Sequence, residues 1–166
     1  MEPLSVGLIG FGGRGRSVAR ALDAASQVEF TAVCDLVDDQ RSAAEDAYDI
    51  ETYADAAEMY ERSPVEAVVV ITRAAGHAPL SIQAMEAGKH VLCTKPLAAN
   101  TAEAAEMVAT ARRTGLKGAV DFQNRFRPCY WSMKDAAEEL DPLQVTITNQ
   151  RSMFLDRYLR PGYAYG

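Results

Sequence analysis

The hexapeptide Gly10-Phe11-Gly12-Gly13-Arg14-Gly15 lies between a short apolar run, Leu4 to Ile9, and a stretch with Val18, Ala21, Leu22 and Ala25 at helical spacing. A G-x-G-x-x-G loop joining a buried strand to a helix permits few folds. The first glycine allows a tight turn, the second lets the backbone approach a pyrophosphate, and the third lets helix and strand pack closely. The helix that opens there offers unpaired N–H groups and a positive dipole end to an anion. Gly10, Phe11, Gly12, Gly13, Arg14 and Gly15 are therefore candidate cofactor-binding residues.

A second β-rich run, Val28 to Cys34, ends at Asp35, 20 residues beyond Gly15. An acidic side chain at that spacing accepts hydrogen bonds from a ribose 2′-hydroxyl and repels a 2′-phosphate. The expected cofactor is NAD in preference to NADP, with Arg14 and Arg41 near enough in sequence to oppose that preference. The competing reading is a glycine-rich turn in some other α/β protein, with Asp35 an ordinary strand-end residue.

Strand-like and helix-like stretches keep alternating along the chain. Helical patterns cover Arg16–Ala25, Asp38–Tyr48 and Ala56–Arg62, and Ala67 to Thr72 reads as a strand. Pro79 suits the first turn of the next helix and Gly88 the position just past its end. His90 to Cys93 is a further strand, Asn100-Thr101-Ala102-Glu103 resembles a capping box for a helix closed by Gly115, and Leu116 to Phe122 gives another strand. The order predicts an α/β fold with a Rossmann-type, doubly wound parallel sheet. After Phe122 the texture becomes rich in Arg, amides and aromatics, with a helix from about Trp131 to Leu140 and a strand from Leu143 to Thr148. The expected domains are 1–122, binding NAD(P), and 123–166, the beginning of a truncated α/β domain for substrate and oligomer contacts.

Composition narrows the function classes. Hydrophobic residues are 48% of the 166, many of them alanine, and charged residues are 24%, as in ordinary globular proteins. A net charge of −6 disfavours general nucleic-acid binding. The longest apolar run, Ala67 to Ile71, is far too short to span a bilayer, and the amino terminus lacks the pattern of a signal peptide. Cys34, Cys93 and Cys129 are widely spaced without a C-x-x-C pair, so neither disulfides nor a metal site are expected, and a cytoplasmic setting is the default.

Cys93-Thr94-Lys95-Pro96 ends a strand, and ligands of doubly wound sheets sit beyond the carboxyl ends of the strands. Lys95 is thereby directed to the nicotinamide region, where its ammonium can stabilise a developing alkoxide; the plain alternative is a solvated loop lysine. Three stretches then carry a family resemblance: Val6 to Gly12, Ala67 to Thr72, and Glu86-Ala87-Gly88-Lys89-His90-Val91-Leu92-Cys93-Thr94-Lys95-Pro96-Leu97. Together they resemble the Gfo/Idh/MocA oxidoreductases, across nearly all of residues 4 to 128.

The resemblance implies a dinucleotide-binding domain followed by an α/β domain with a large open sheet that carries the oligomer interface. It implies that Lys95, before Pro96, contacts substrate and nicotinamide ribose and acts as the catalytic residue. It further implies that Thr72 lines the cofactor, that His77 stands near the active-site mouth, and that Gln123 to Pro128, with Asn124 and Arg125, leads toward substrate. Two departures stand out: Thr94 replaces the Glu usual before Lys-Pro, and Arg73 replaces a common Pro, where it either crowds the nicotinamide or binds an acidic group. Family members are about twice as long, and their proton-transferring His falls beyond residue 166.

Other residues keep two readings. His77 either caps the next helix or contacts the active site. His90 reads as structural, and Cys34 and Cys93 as small buried residues. Arg125 and Arg127, on one face of an extended segment, bind a carboxylate or sugar hydroxyls or pair with surface acids, the last being favoured. Tyr158, Tyr163, Tyr165 and Trp131 suit packing better than sugar stacking. The expected function is hydride transfer between nicotinamide and a sugar, polyol or related hydroxylated small molecule, by a full-length form that oligomerises. The alternative is a truncated NAD(H)-binding module acting as sensor or partner subunit.

Overall fold

A computed structural model describes residues 2–140. The chain divides into two compact units, the first being Met1–Asp121 and the second beginning at Phe122. In the first unit, strands β1 (Leu4–Ile9), β2 (Val28–Cys34), β3 (Glu51–Tyr53), β4 (Ala67–Val70), β5 (His90–Thr94) and β6 (Gly118–Asp121) form one sheet in the order β3-β2-β1-β4-β5-β6. Every pairing is parallel. Helices α1 (Gly13–Asp23), α2 (Asp38–Glu45), α3 (Ala56–Arg62), α4 (Ala74–Glu86) and α5 (Thr101–Thr114) alternate with the strands.

Central strands with both faces covered read as unbroken apolar runs, and alternate residues go to opposite faces. Val6 and Leu8 of β1, Val33 of β2 and Val69 of β4 join Phe11, Ala19 and Ala44 in one core. Ile9, Ala32, Cys34, Val68 and Val70 point the other way, into a core completed by Met59, Tyr60, Ala78, Met85 and Met107. Each fully buried Leu or Val contributes about 2 kcal/mol.

Several element bounds differ from the sequence expectation. Helix α1 starts at Gly13 instead of Arg16, because a single left-handed turn at Gly10 (φ 100°) leaves Gly12 extended and ready to start a helix. Helix α4 starts at Ala74, so Pro79 is its sixth residue and lies in the interior instead of the first turn. The buried stripe Ala74, His77, Ala78, Ser81, Ala84 and Met85 favours the longer helix. The bond lost at Pro79 falls on its exposed side, where water can reach the Ala75 carbonyl. Helix α2 stops at Glu45, and β4 and β6 are shorter than the runs that suggested them. Strand β3, only three residues long, was not anticipated.

Helix ends follow their local chemistry. Past α4, Gly88 (φ 81°) donates to the Met85 carbonyl and Lys89 to that of Ala84, so the last turn is closed. Asn100 Oδ1 accepts the Glu103 N–H at 3.0 Å to cap α5, while Glu103 reaches back to the Ala99 N–H, one residue earlier than a capping box requires.

In the second unit, Gln123–Phe126 is a 3-10 turn and α6 spans Pro128–Leu140, with no buried residue. The Arg125 N–H donates to Phe122 O and the Arg127 N–H to Asn124 O. Arg125 and Arg127 therefore do not share a face of an extended segment, as expected from spacing; the turn's own hydrogen bonds curl that stretch. Helix α6 starts three residues before the expected Trp131, with Pro128 at its first position. The strand expected at Leu143–Thr148, and Tyr158, Tyr163 and Tyr165, lie outside the described residues.

Candidate functional site

The strand order reverses between β1 and β4, and the chain leaves these neighbours in opposite directions. A cleft of about 780 Å³ opens there, lined among others by Gly10, Gly12, Asp35, Asp55, Thr72 and Arg73. Its floor is the glycine loop. A Cβ on Gly10 would lie 2.5 Å from Ile71 O, and one on Gly15 2.0 Å from Gly10 O, so both positions must be glycine for the loop to close. A Cβ on Gly12 would meet no protein atom within 4 Å. Gly12 is thus bare where it lines the cleft, facing space that a bound group can fill.

Charge follows the same pattern. Helices α1 and α4 have neither a side-chain cap nor an acidic residue in the first turn. By contrast α2 carries Asp38 and Asp39, α3 is capped by Asp55, and α5 by Asn100. The free N–H groups of α1 therefore remain for an anion at the cleft.

Asp35 follows β2 and is half-buried. Its Oδ2 accepts the Phe11 N–H at 2.7 Å and its Oδ1 the Val37 N–H at 2.9 Å. Each oxygen keeps a further lone pair for a hydroxyl donor. Arg41 donates to the Asp35 carbonyl at 2.8 Å and pairs with Asp38, so its charge is engaged. Arg14 lies 3.7 Å from Asp121, and Arg16 stands 5.1 Å over the Phe11 ring. Phe11 itself contributes no side chain to the cleft: it is 1% exposed and meets Tyr48 edge-on.

Thr72 and Arg73, after β4, are exposed at the cleft. Lys95 and Pro96 are exposed on the turn after β5, joined by a cis peptide bond, and neither lines the cleft. His77 is buried inside α4 and does not cap it. Asn124 and Arg125 belong to the 3-10 turn of the second unit. Among the described residues no group of three His, Cys, Asp or Glu is placed to hold a metal, and no helix is long and apolar enough to cross a membrane.

The Gfo/Idh/MocA family, an oxidoreductase family with an NAD-binding Rossmann fold, matches residues 4–122. The chain belongs to that family. Inositol 2-dehydrogenase of Salmonella typhimurium is 30% identical over 169 residues, covering 98% of this chain and 50% of that protein. Myo-inositol 2-dehydrogenase of Lactobacillus plantarum superposes with a TM-score of 0.79 at 26% identity, over 84% of this chain and 42% of that one. GenD2, from gentamicin A biosynthesis and solved in complex with NAD, gives 0.80 at 27% identity, over 85% and 40%. The chain spans about half the length of the curated inositol dehydrogenases it matches.

The matching family model describes an NAD-binding Rossmann fold, and the cleft lies at the switch point of this sheet, where such folds open a crevice. Some of its walls escaped sequence reading. Gly76 lines the crevice, and a Cβ there would lie 2.7 Å from Thr72 Oγ1. Leu36 and Val37, exposed by 88% and 52%, form an apolar shelf beside Asp35. Asp55 caps α3 with Oδ1 while lining the crevice. Only the exposed Leu36-Val37 pair had a readable signal: two apolar residues directly after the acidic strand end. Cys34, also a lining residue, has its thiol pushed up to about 12, first by burial and then by the Asp55 and Asp35 carboxylates.

Proposed function

We propose that this chain binds NAD in preference to NADP and serves an oxidoreductase acting on the hydroxyl-bearing carbon of a polyol, sugar or related small molecule. The observation that carries the reading is Asp35: an acidic side chain fixed by two backbone N–H groups at the cleft. Its remaining acceptor capacity suits ribose hydroxyls, and its charge repels a 2′-phosphate. Arg41 is tied to Asp38 and to the Asp35 carbonyl, which withdraws the nearest cation from a phosphate.

The N–H groups at the start of α1 and the bare backbone at Gly12 would hold the pyrophosphate of the cofactor. When bound, the nicotinamide ring accepts or donates a hydride at C4. Lys95 takes the polarising role: its ammonium donates a hydrogen bond to the substrate oxygen and stabilises negative charge developing there. Arg73 places a cation at the cleft, suited to an acidic group. The polyol assignment is supported by relatives named inositol 2-dehydrogenase, and the cofactor by the NAD complex of GenD2.

Calorimetric titration of the purified chain with NAD and NADP tests the reading. NAD is expected to bind at least about tenfold more tightly, and Asp35→Asn, which keeps shape and removes charge, to narrow that ratio by about tenfold. Equal affinities in the wild type, or a ratio unmoved by Asp35→Asn, would overturn the preference.

A further inference from the structure

His77 is 1% exposed, among the most deeply buried polar side chains of the first unit. Its Nδ1 lies 2.6 Å from the Pro96 carbonyl oxygen and its Nε2 3.2 Å from that of Thr72. Carbonyl oxygens only accept, so the proton of a neutral ring belongs at Nδ1, where the contact is shorter. The rest of the buried stripe of α4 is Ala74, Ala78, Ser81, Ala84 and Met85, all small or apolar. Packing alone would be met by an apolar residue at 77, without the desolvation that a buried imidazole carries.

The two carbonyls belong to the turns that leave the adjacent strands β4 and β5. One turn brings Thr72 to the cleft, and the other carries Lys95. Below them, Thr94 Oγ1 donates to the Val70 carbonyl at 3.3 Å, so the strand ends are joined up to that level. Above that level the Nδ1–H of the imidazole ties helix α4, which begins two residues after Thr72, to the Pro96 carbonyl.

We infer that His77 is a positioning residue for the nicotinamide half of the cofactor: its ring sets the Lys95-Pro96 turn against the Thr72 turn, so that both meet the ring as one wall. The inference rests on the proposed placement of nicotinamide beside Thr72 and Lys95.

Binding of NADH and of ADP to the wild-type chain and to His77→Leu, His77→Asn and His77→Gln separates this role from simple support of the fold. ADP has the adenosine and diphosphate but no nicotinamide. An Asn amide nitrogen falls where Nδ1 stands, and a Gln amide nitrogen where Nε2 stands. His77→Leu is expected to weaken NADH about tenfold and ADP by less than about twofold, and His77→Asn to recover most of the loss through Pro96. Equal losses for both ligands, or unchanged NADH affinity in His77→Leu, would overturn the role. If the Leu variant does not fold, the amide pair decides. An NADH-to-ADP affinity ratio kept by Asn and lost by Gln supports the role, and identical ratios overturn it. A wild-type chain that binds ADP and not NADH removes the positioning role while leaving the crevice in place. Binding of neither ligand removes the cofactor reading, and the positioning role with it.

Discussion

Asp35 does two things with one carboxylate. It fixes the backbone at Phe11 and Val37, and it sets the charge of the cleft. A change that removed both oxygens would release both N–H groups. Asn keeps the shape and one acceptor, losing one of those bonds with the charge, so the NAD-to-NADP ratio and not either affinity alone carries the reading. The cysteines separate just as cleanly. Burial pushes the Cys93 thiol up to about 11 and Cys34 to about 12, whereas Cys129 is exposed. Only the thiolate is an effective nucleophile. Iodoacetamide at pH 8 is expected to label Cys129 in the folded chain, with Cys34 and Cys93 modified only after unfolding, as peptide mass mapping would show. Rapid labelling of Cys34 in the native chain would contradict its buried, protonated state.

At the scale of elements, α1 shows what each glycine does. A Cβ at position 15 would collide with Gly10 O, while one at position 13 would meet nothing within 4 Å. Gly15→Ala is expected to lower stability by about 2 kcal/mol or more, because α1 must move off the loop. Gly13→Ala, at the first helical position, should raise it by up to about 1 kcal/mol. Urea unfolding of the two variants, read by circular dichroism, checks both signs.

The loop was legible in the sequence because its chemistry is local: the three motif glycines Gly10, Gly12 and Gly15 at a strand-to-helix junction, and an acid at the next strand end. Strands β1 and β2 and helix α3 were legible for a related reason, since their apolar patterns match their own length. Helix α4 was misplaced at its start because Pro79 was read in its first turn and His77 as a cap before it, although His77 and Ser81 are buried in the stripe that makes the helix. Three residues of β3 are too few to show a period. The roles of Gly76 and Asp55 depend on the shape of the cleft, which spacing does not reveal.

At the scale of the whole molecule, the two cores of the first unit meet across one sheet, and the crevice lies at the carboxyl end of that sheet. A ligand that binds only the folded state stabilises it by about 2.7 kcal/mol at a hundredfold excess over Kd. NAD at that excess is expected to raise the Tm of the far-ultraviolet transition by several degrees, and NADP at the same concentration by less. A Tm indifferent to both would mean that the crevice does not recognise dinucleotide in the native chain.

Six strands running the same way give the unit two unlike ends. Glycine loop, Asp35, Thr72 and Lys95 all follow strand ends, whereas Gln27, Glu66, Lys89 and Lys117 immediately precede strands. Amine chemistry therefore has a geometric meaning in this unit: two of its lysines offer a handle at the blunt end of the sheet, and the third sits at its working end. A surface or dye attached through Lys89 or Lys117 sits at the end of the sheet away from the crevice, and one attached through Lys95 at the same end as it.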